Sequence, residues 1–393
     1  MSHEFSEAKP VAAVLTEWRI NSHADVILSR LLEPEAWGHK RPFALKLAAV
    51  YADQFPANDL CRDLCRKHGV PMFPTIAGAV GVGTRGVPVE GVLIIGEHGK
   101  YAQNAKGQTL YPRRRLFEGV VNAFRALGRR VPVFSDKHLS YDWLFARWMY
   151  DLSRHEGFPF MAGSSLPVAW RVPPLTLPIG MDLTEAFALG YGPLDAYGFH
   201  ALETLQCMAE RRQGGETGVV AVRCISGKAA WEESSSVPRW RDLLDALSKA
   251  RRAAHPDARP IVPRDGDALF VIRYRDGLEA TVGMLNSAAE TFGFAGRRRG
   301  RDEADATLFA LENDRHFGHF GHFGYLVRAI EHMVQTGRPA YPVERTLLTS
   351  GLLSAALQSR SEGGSEIATP HLGELRYEPA DWPFAPAPTW TPA

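Results

Sequence analysis

The feature that most constrains this chain is a repeated alternation of short apolar runs with amphipathic stretches that stop at glycine. Val89–Ile95 ends in an unbroken Val-Leu-Ile-Ile, the signature of a strand buried on both faces, as in a parallel sheet covered by helices. Around it, Val11–Leu15 reads as a strand and Ser22–Leu32 as a helix, with Asn21 or Ser22 as N-cap. Leu45–Tyr51 is the next strand, and Asp59–His68 a helix that stops at Gly69. Helix Arg114–Leu127 ends at Gly128, and strand Val131–Phe134 leads to helix Trp143–His155, which ends at Gly157 before a short strand, Pro159–Ala162. Right-handed crossovers leave few arrangements for such a series beyond an open doubly wound parallel sheet, so residues 10–163 are expected to form a Rossmann-like α/β domain.

The texture changes after Gly163-Ser164-Ser165-Leu166-Pro167. Extended segments at Ala186–Tyr191, Gly218–Ile225, Ala268–Arg275, Leu278–Leu285 and Phe292–Arg297 are interleaved with helices near Gly198–Arg212 and Val237–Ala254. Helices Tyr325–Thr336 and Val343–Gln358 close this region. The expectation is an α+β domain over 164–358, with an open mixed or antiparallel sheet, followed by a C-terminal arm over 359–393. A length of 393 residues suits two such domains.

Composition excludes several classes. Forty-five basic against 44 acidic side chains give a formal charge of +1, so the chain lacks the basic footprint of a nucleic-acid binder. Four cysteines are too few for a disulfide framework, which points to a reducing compartment. The N-terminus has no basic stretch followed by an apolar run, and no segment supplies the ~20 apolar residues of a membrane span. Cytoplasmic localisation, without nucleic-acid or membrane partners, is the expectation.

In open α/β sheets ligands sit beyond the carboxyl ends of the strands. Thr16-Glu17-Trp18-Arg19-Ile20-Asn21 follows the first strand, where a dinucleotide site would carry Gly-x-Gly-x-x-Gly. A literal match at Gly81-Val82-Gly83-Thr84-Arg85-Gly86 opens no helix and reads more plainly as a flexible turn. Asp53, beyond the second strand, can accept from a ribose hydroxyl or serve as a turn residue. Glu97 and His98 follow the third strand; Asp136, Lys137 and His138 follow the fourth. Carboxylates beside imidazoles and an ammonium suit acid–base catalysis, and the same groups could instead hold a divalent metal or form a rim of ion pairs.

These residues, with Val133-Phe134-Ser135-Asp136-Lys137-His138-Leu139, the helix opening Gly198-Phe199-His200-Ala201-Leu202-Glu203, and Leu326–Glu331 through Thr336-Gly337-Arg338-Pro339, resemble the Gfo/Idh/MocA oxidoreductases over nearly the full chain. The resemblance implies NAD or NADP bound by the first domain, with Thr16, Trp18, Asn21, Asp53 and Glu97 as cofactor-side candidates. It makes Lys137 the residue that orients the substrate hydroxyl and nicotinamide, with Asp136 beside it, and His200 the proton donor or acceptor, with Glu203 one helical turn on. It also implies a small-molecule substrate and a homodimer or higher homo-oligomer through the second domain's sheet. The family's Glu-Lys-Pro is here Asp136-Lys137-His138, and the aspartate it often places four before the histidine is matched by Ala196, with Asp195 displaced by one.

The expected activity is hydride transfer between NAD(P) and a hydroxyl or carbonyl carbon of a polyol, sugar or related molecule. The alternative is a nicotinamide-independent, metal-assisted or acid–base lyase, isomerase or hydrolase, with metal candidates Glu97, His98, His138 and His322, joined in a wider set by Asp136 and His200. A third class is a binding or assembly subunit. His322 belongs to a triplet repeat, His316-Phe317-Gly318 through Gly324, in which the phenylalanines would pack. Arg113-Arg114-Arg115 and Arg297-Arg298-Arg299 are either solvated faces or sites for an anionic group, and Cys61 and Cys65 share a helical face as buried side chains.

Overall fold

The structure is a computed structural model that describes residues 7–39, 41–232, 240–288, 290–311 and 320–382. The chain forms two compact units: Met1–Ala102, Leu110–Ser165 and Glu312–Val343 make the first, and Gln103–Thr109, Leu166–Leu311 and Glu344–Ala393 the second.

The first unit holds β1 (Lys9–Leu15), β2 (Leu45–Ala52), β3 (Gly91–Ile95), β4 (Val133–Asp136) and β5 (Phe160–Gly163) in one parallel sheet of order β2-β1-β3-β4-β5. β3 is buried along its whole length, as its apolar run requires. Helix Arg113–Leu127 buries Leu116, Phe117, Val120, Val121 and Phe124 on one stripe, and Gly128 stops it at φ +79°. Asp142 caps helix Trp143–Glu156 by accepting from the Phe145 amide at 3.1 Å. Helix Ile76–Gly81, which the sequence reading lacked, starts at Thr75, whose hydroxyl accepts from the Gly78 amide. Gly81–Gly86 therefore follows a helix C-terminus, with Val82 and Gly83 at positive φ. The carbonyl end of a helix repels phosphate, so the turn reading holds.

Local details differ from the sequence expectation. β4 runs two residues later, which puts Asp136 on the strand itself. The segment read as helix Ser22–Leu32 is helical over 23–32 with Ser22 accepting from the Asp25 amide at its start, and it carries a π-helical turn, Asp25–Ser29, inside it. Helix His322–Thr336, expected in the second domain, packs in the first unit. Lys9 Nζ donates to the Val334 and Gln335 carbonyls at its C-terminal end, and a side chain at Gly91 would come within 2.7 Å of Val334. Residues 312–319, with His316 and His319 of the triplet repeat, lie outside the described residues.

The second unit holds β6 (Arg171–Val172), β7 (Leu183–Gly190), β8 (Val219–Ser226), β9 (Ala268–Tyr274), β10 (Glu279–Met284), β11 (Phe292–Arg298), β12 (Asp305–Phe309) and β13 (Ile367–Ala368). Their order is β13-β8-β9-β10-β7-β11-β12-β6, mixed because β10 pairs with β7 in parallel. The sheet is open at its edges, where two-residue strands leave little backbone to pair. Its faces are covered. Helix Ala196–Ala209 packs on one, with Gly198 against Phe270 and Ala201 against Gly190. Helix Trp240–Ala254 packs on the other, where Trp240 stacks on Phe187 at 5.7 Å and joins Leu189, Leu243, Leu247 and Leu269 in an apolar cluster. Residues past 358 complete helix Val343–Ser361 and supply β13, so the described part of the expected arm is integral to this unit. Among the described residues, no helix is long and apolar enough to cross a membrane.

Candidate active site

In the first unit β1 is flanked by β2 on one side and β3 on the other, so the strand order reverses at the carboxyl end of β1. That is the position where doubly wound sheets bind ligands. Thr16 leaves β1 with its hydroxyl donating to the Glu97 carbonyl at 2.6 Å, which ties the β1 and β3 ends together. A second tie crosses the same gap: Arg19 Nε donates to Glu17 Oε1 at 2.7 Å, and Arg19 Nη2 lies 3.2 Å from His98 Nδ1. Trp18 is fully buried, and its indole Nε1 has no hydrogen-bond partner.

The turn that would grip a pyrophosphate satisfies itself. The Asn21 amide donates to Asp25 Oδ2 at 3.0 Å, and the Ser22 hydroxyl accepts from the Arg19 and Asp25 amides at 3.1 and 3.3 Å. Asn21 has φ +60°, a conformation that asparagine tolerates. The Asp25 carboxylate thus stands where a dinucleotide binder presents open N–H groups to phosphate.

At the β3 and β4 ends the expected residues do gather. Glu97 is buried and pairs with Arg113 and with Lys137 Nζ at 3.1 Å. Burial raises its pKa, but Lys137 and Arg113 outweigh that and hold the carboxyl well below the usual range. Breaking such a buried pair by removing one partner costs about 3–5 kcal/mol. His98 adopts φ +70°, a strained conformation for a non-glycine residue. Burial, reinforced by the neighbouring His23, lowers its pKa to about 3, so it is neutral. Burial, with Arg113 adding to it, also pushes His138 well down.

His23, which the sequence reading left inside a helix, is the residue that reorganises the site. Its Nδ1 is 2.6 Å from Asp136 Oδ2, and its ring meets those of His98 and Phe323 edge-on at 5.2 and 5.0 Å. The contact with the Asp136 carboxylate holds the imidazole in place through Nδ1. Applying the strand-end rule a few residues past Asn21 would have found it, because His23 sits at the switch point. Phe323 is buried, as the packing alternative expected of the repeat's phenylalanines, and His322 is buried beside it at the start of the helix, where that alternative expected solvated histidines.

Other candidates fall elsewhere. Asp53 is occupied by Tyr101 and Arg115 at 2.7 Å each and by Tyr51 at 3.1 Å, so its carboxylate is committed within the protein. In the second unit His200 is half-buried, its ring near Phe292 and Tyr197, whereas Glu203 is fully buried and accepts from Thr346 at 2.9 Å. Glu203 therefore faces the interior helix Val343–Ser361 and not a cleft. Asp195 accepts from the Thr109 amide at 2.9 Å.

The metal alternative is corrected. Among the described residues no three His, Cys, Asp or Glu side chains are placed to hold a metal ion, so Glu97, His98, His138 and His322 form no ligand set. The reason is electrostatic: Glu97, the anionic member, is neutralised by two cations that would repel a third.

No protein-family model matches the sequence, and no curated protein matches it. Solved structures do. A scyllo-inositol dehydrogenase from Lactobacillus casei is 11% identical and aligns over 93% of this chain and 100% of its own, with a TM-score of 0.59. GenD2 from gentamicin A biosynthesis, solved in complex with NAD, is 12% identical over 93% of this chain and 97% of its own, with a TM-score of 0.57. A putative myo-inositol dehydrogenase from Sinorhizobium meliloti is 14% identical over 92% and 99%, with a TM-score of 0.55. The fold is that of the Gfo/Idh/MocA-type dehydrogenases. At these identities the likeness is one of architecture, and the chemistry rests on the residues themselves.

Proposed function

We propose that this chain is an NAD(P)-linked oxidoreductase acting at a hydroxyl- or carbonyl-bearing carbon of a polyol, sugar or related small molecule. The observation that carries the reading is the His23–Asp136 pair at the switch point of a sheet whose architecture is shared with GenD2, solved in complex with NAD. His23 Nε2 takes the hydroxyl proton in the oxidative direction and returns it in the reductive one, while Asp136 stabilises the imidazolium. Lys137, held by Glu97, sets the positive potential that polarises the substrate oxygen. His200 stays in the proposal as a second proton carrier on the strength of resemblance, and Glu203 as a scaffold residue.

The cofactor's two ends meet different surfaces. The buried Asp136 Oδ1 and His98 Nε2 have no hydrogen-bond partner, and a carboxamide, which both donates and accepts, fits them. When bound, the nicotinamide would supply or accept the hydride. The pyrophosphate is not matched in the usual way, because Ser22 and Asp25 already take the turn's amides. That self-capped turn specifically favours a second reading, nicotinamide-independent acid–base chemistry by the same His23–Asp136 pair.

Fluorescence titration with NADH and NADPH up to millimolar concentration separates the two. Saturable binding that weakens in Asp136→Asn supports the first. Absence of binding in a protein with His23-dependent turnover establishes the second.

The reading retains a cytoplasmic compartment, in keeping with four cysteines that are all buried free thiols. The homo-oligomer implied by resemblance would have to use a surface other than the sheet face beneath helix Trp240–Ala254.

A further inference from the structure

We infer that the substrate is an acid, and that its carboxylate docks on Arg113; this rests on the strand-end rim being the active site. Arg113 is the first residue of the helix Arg113–Leu127 and is 1% exposed. One of its nitrogens, Nη2, donates to Glu97, and its guanidinium stacks on the Tyr111 ring at 4.8 Å. Its Nε and Nη1 are buried and have no hydrogen-bond partner. Orphaned donors on a buried cation cost more than those on a neutral group, so an anionic acceptor stabilises this arrangement strongly.

The position reinforces the charge. The helix is 15 residues long and its N-cap, Pro112, offers no side-chain acceptor, so its N-terminal amides add a positive field beside the guanidinium. The adjoining Glu97 is shared between Arg113 and Lys137, one carboxylate facing two cations. With Asp136 on the same rim the fixed charges of Glu97, Asp136, Arg113 and Lys137 balance, so the orphaned Arg113 donors call for the anion, and a singly charged carboxylate perturbs that balance less than a phosphate dianion. The substrate class this selects is a hydroxy acid, such as an aldonate or uronate: the carboxylate anchors on Arg113, and the hydroxyl-bearing carbon is served by His23.

The test is calorimetric titration of the full chain with ligands that differ in the acid group, D-glucose against D-gluconate and D-glucuronate, alongside inorganic phosphate and, separately, NADH. At least one acid is expected to bind about tenfold or more tightly than glucose, the effect of one charge-assisted hydrogen bond. Raising salt should narrow the difference, Arg113→Gln should abolish it, and Arg113→Lys should keep part of it. If Arg113→Gln does not fold, the wild-type ratio of acid to neutral ligand decides. Equal binding of acid and neutral sugar, or failure of the acids in a protein that binds NADH, overturns the proposal. Phosphate binding with the same Arg113 dependence while the carboxylates fail also overturns it. Acid binding without NADH binding leaves the acid site standing and removes the nicotinamide.

Discussion

His23 Nδ1 and Asp136 Oδ2, 113 residues apart in sequence, lie 2.6 Å apart at the carboxyl edge of the parallel sheet. A carboxylate fixing one imidazole nitrogen while the other exchanges protons is a recurring catalytic arrangement. His23→Ala is expected to lower kcat/KM by about 10²–10⁴-fold with little change in fold. Asp136→Asn should lower kcat, because an amide lacks the negative charge that the carboxylate presents to the imidazole. Steady-state kinetics with circular dichroism as the folding control checks both; unchanged turnover in His23→Ala would remove this pair from the chemistry.

The self-capped turn after β1 makes two measurable demands. Ser22→Ala removes the acceptor for the Arg19 and Asp25 amides and is expected to cost about 1 kcal/mol in urea unfolding. Asp25→Asn removes a negative charge from the place where a pyrophosphate would lie, and should tighten NADH binding several-fold, read by fluorescence titration.

Acid should destabilise the protein through His98. Its folded pKa is about 3 against an ordinary 6.5, so between these values the unfolded chain binds a proton that the folded one refuses. Stability therefore rises with pH through this window and is lost as pH falls from 6.5 toward 3. His98→Asn removes the titration and suits the φ of +70°. Urea unfolding at pH 7 and pH 5 should show a smaller loss in the variant than in the wild type.

Much of this architecture is legible in sequence because its signals are local. The apolar run of β3 and the glycines at 128 and 157 mark their elements by composition alone. β6 and β13 are two residues each and exist only through their neighbours in the sheet, so no periodicity announces them. The polar Ser135 and Asp136 read as a loop in sequence, yet both are buried on β4, which therefore runs two residues later than its apolar pattern indicates. The rim residues Glu97, His98, Asp136, Lys137 and His138 follow from the strand-end rule. His23 is not legible in sequence because its partner lies more than a hundred residues away, and the burial of Glu203 is not legible because helical spacing does not say which face is interior.

Helix Trp240–Ala254 is expected to be essential to the second unit. Trp240 is 2% exposed and stacks on Phe187 with an interplanar angle of 18°. Trp240→Ala should cost about 3–5 kcal/mol in denaturant unfolding and bare the apolar face of β7, which dye binding and self-association would report.

Hydrogen–deuterium exchange of the full chain with and without saturating NADH tests the central claim most directly, since it locates the ligand as well as detecting it. Protection is expected in the segments that carry Arg19–His23, Glu97–His98 and Asp136–His138. An exchange pattern unchanged by NADH, or altered only in segments away from these strand ends, would contradict the assignment of this rim as a nicotinamide-dependent active site.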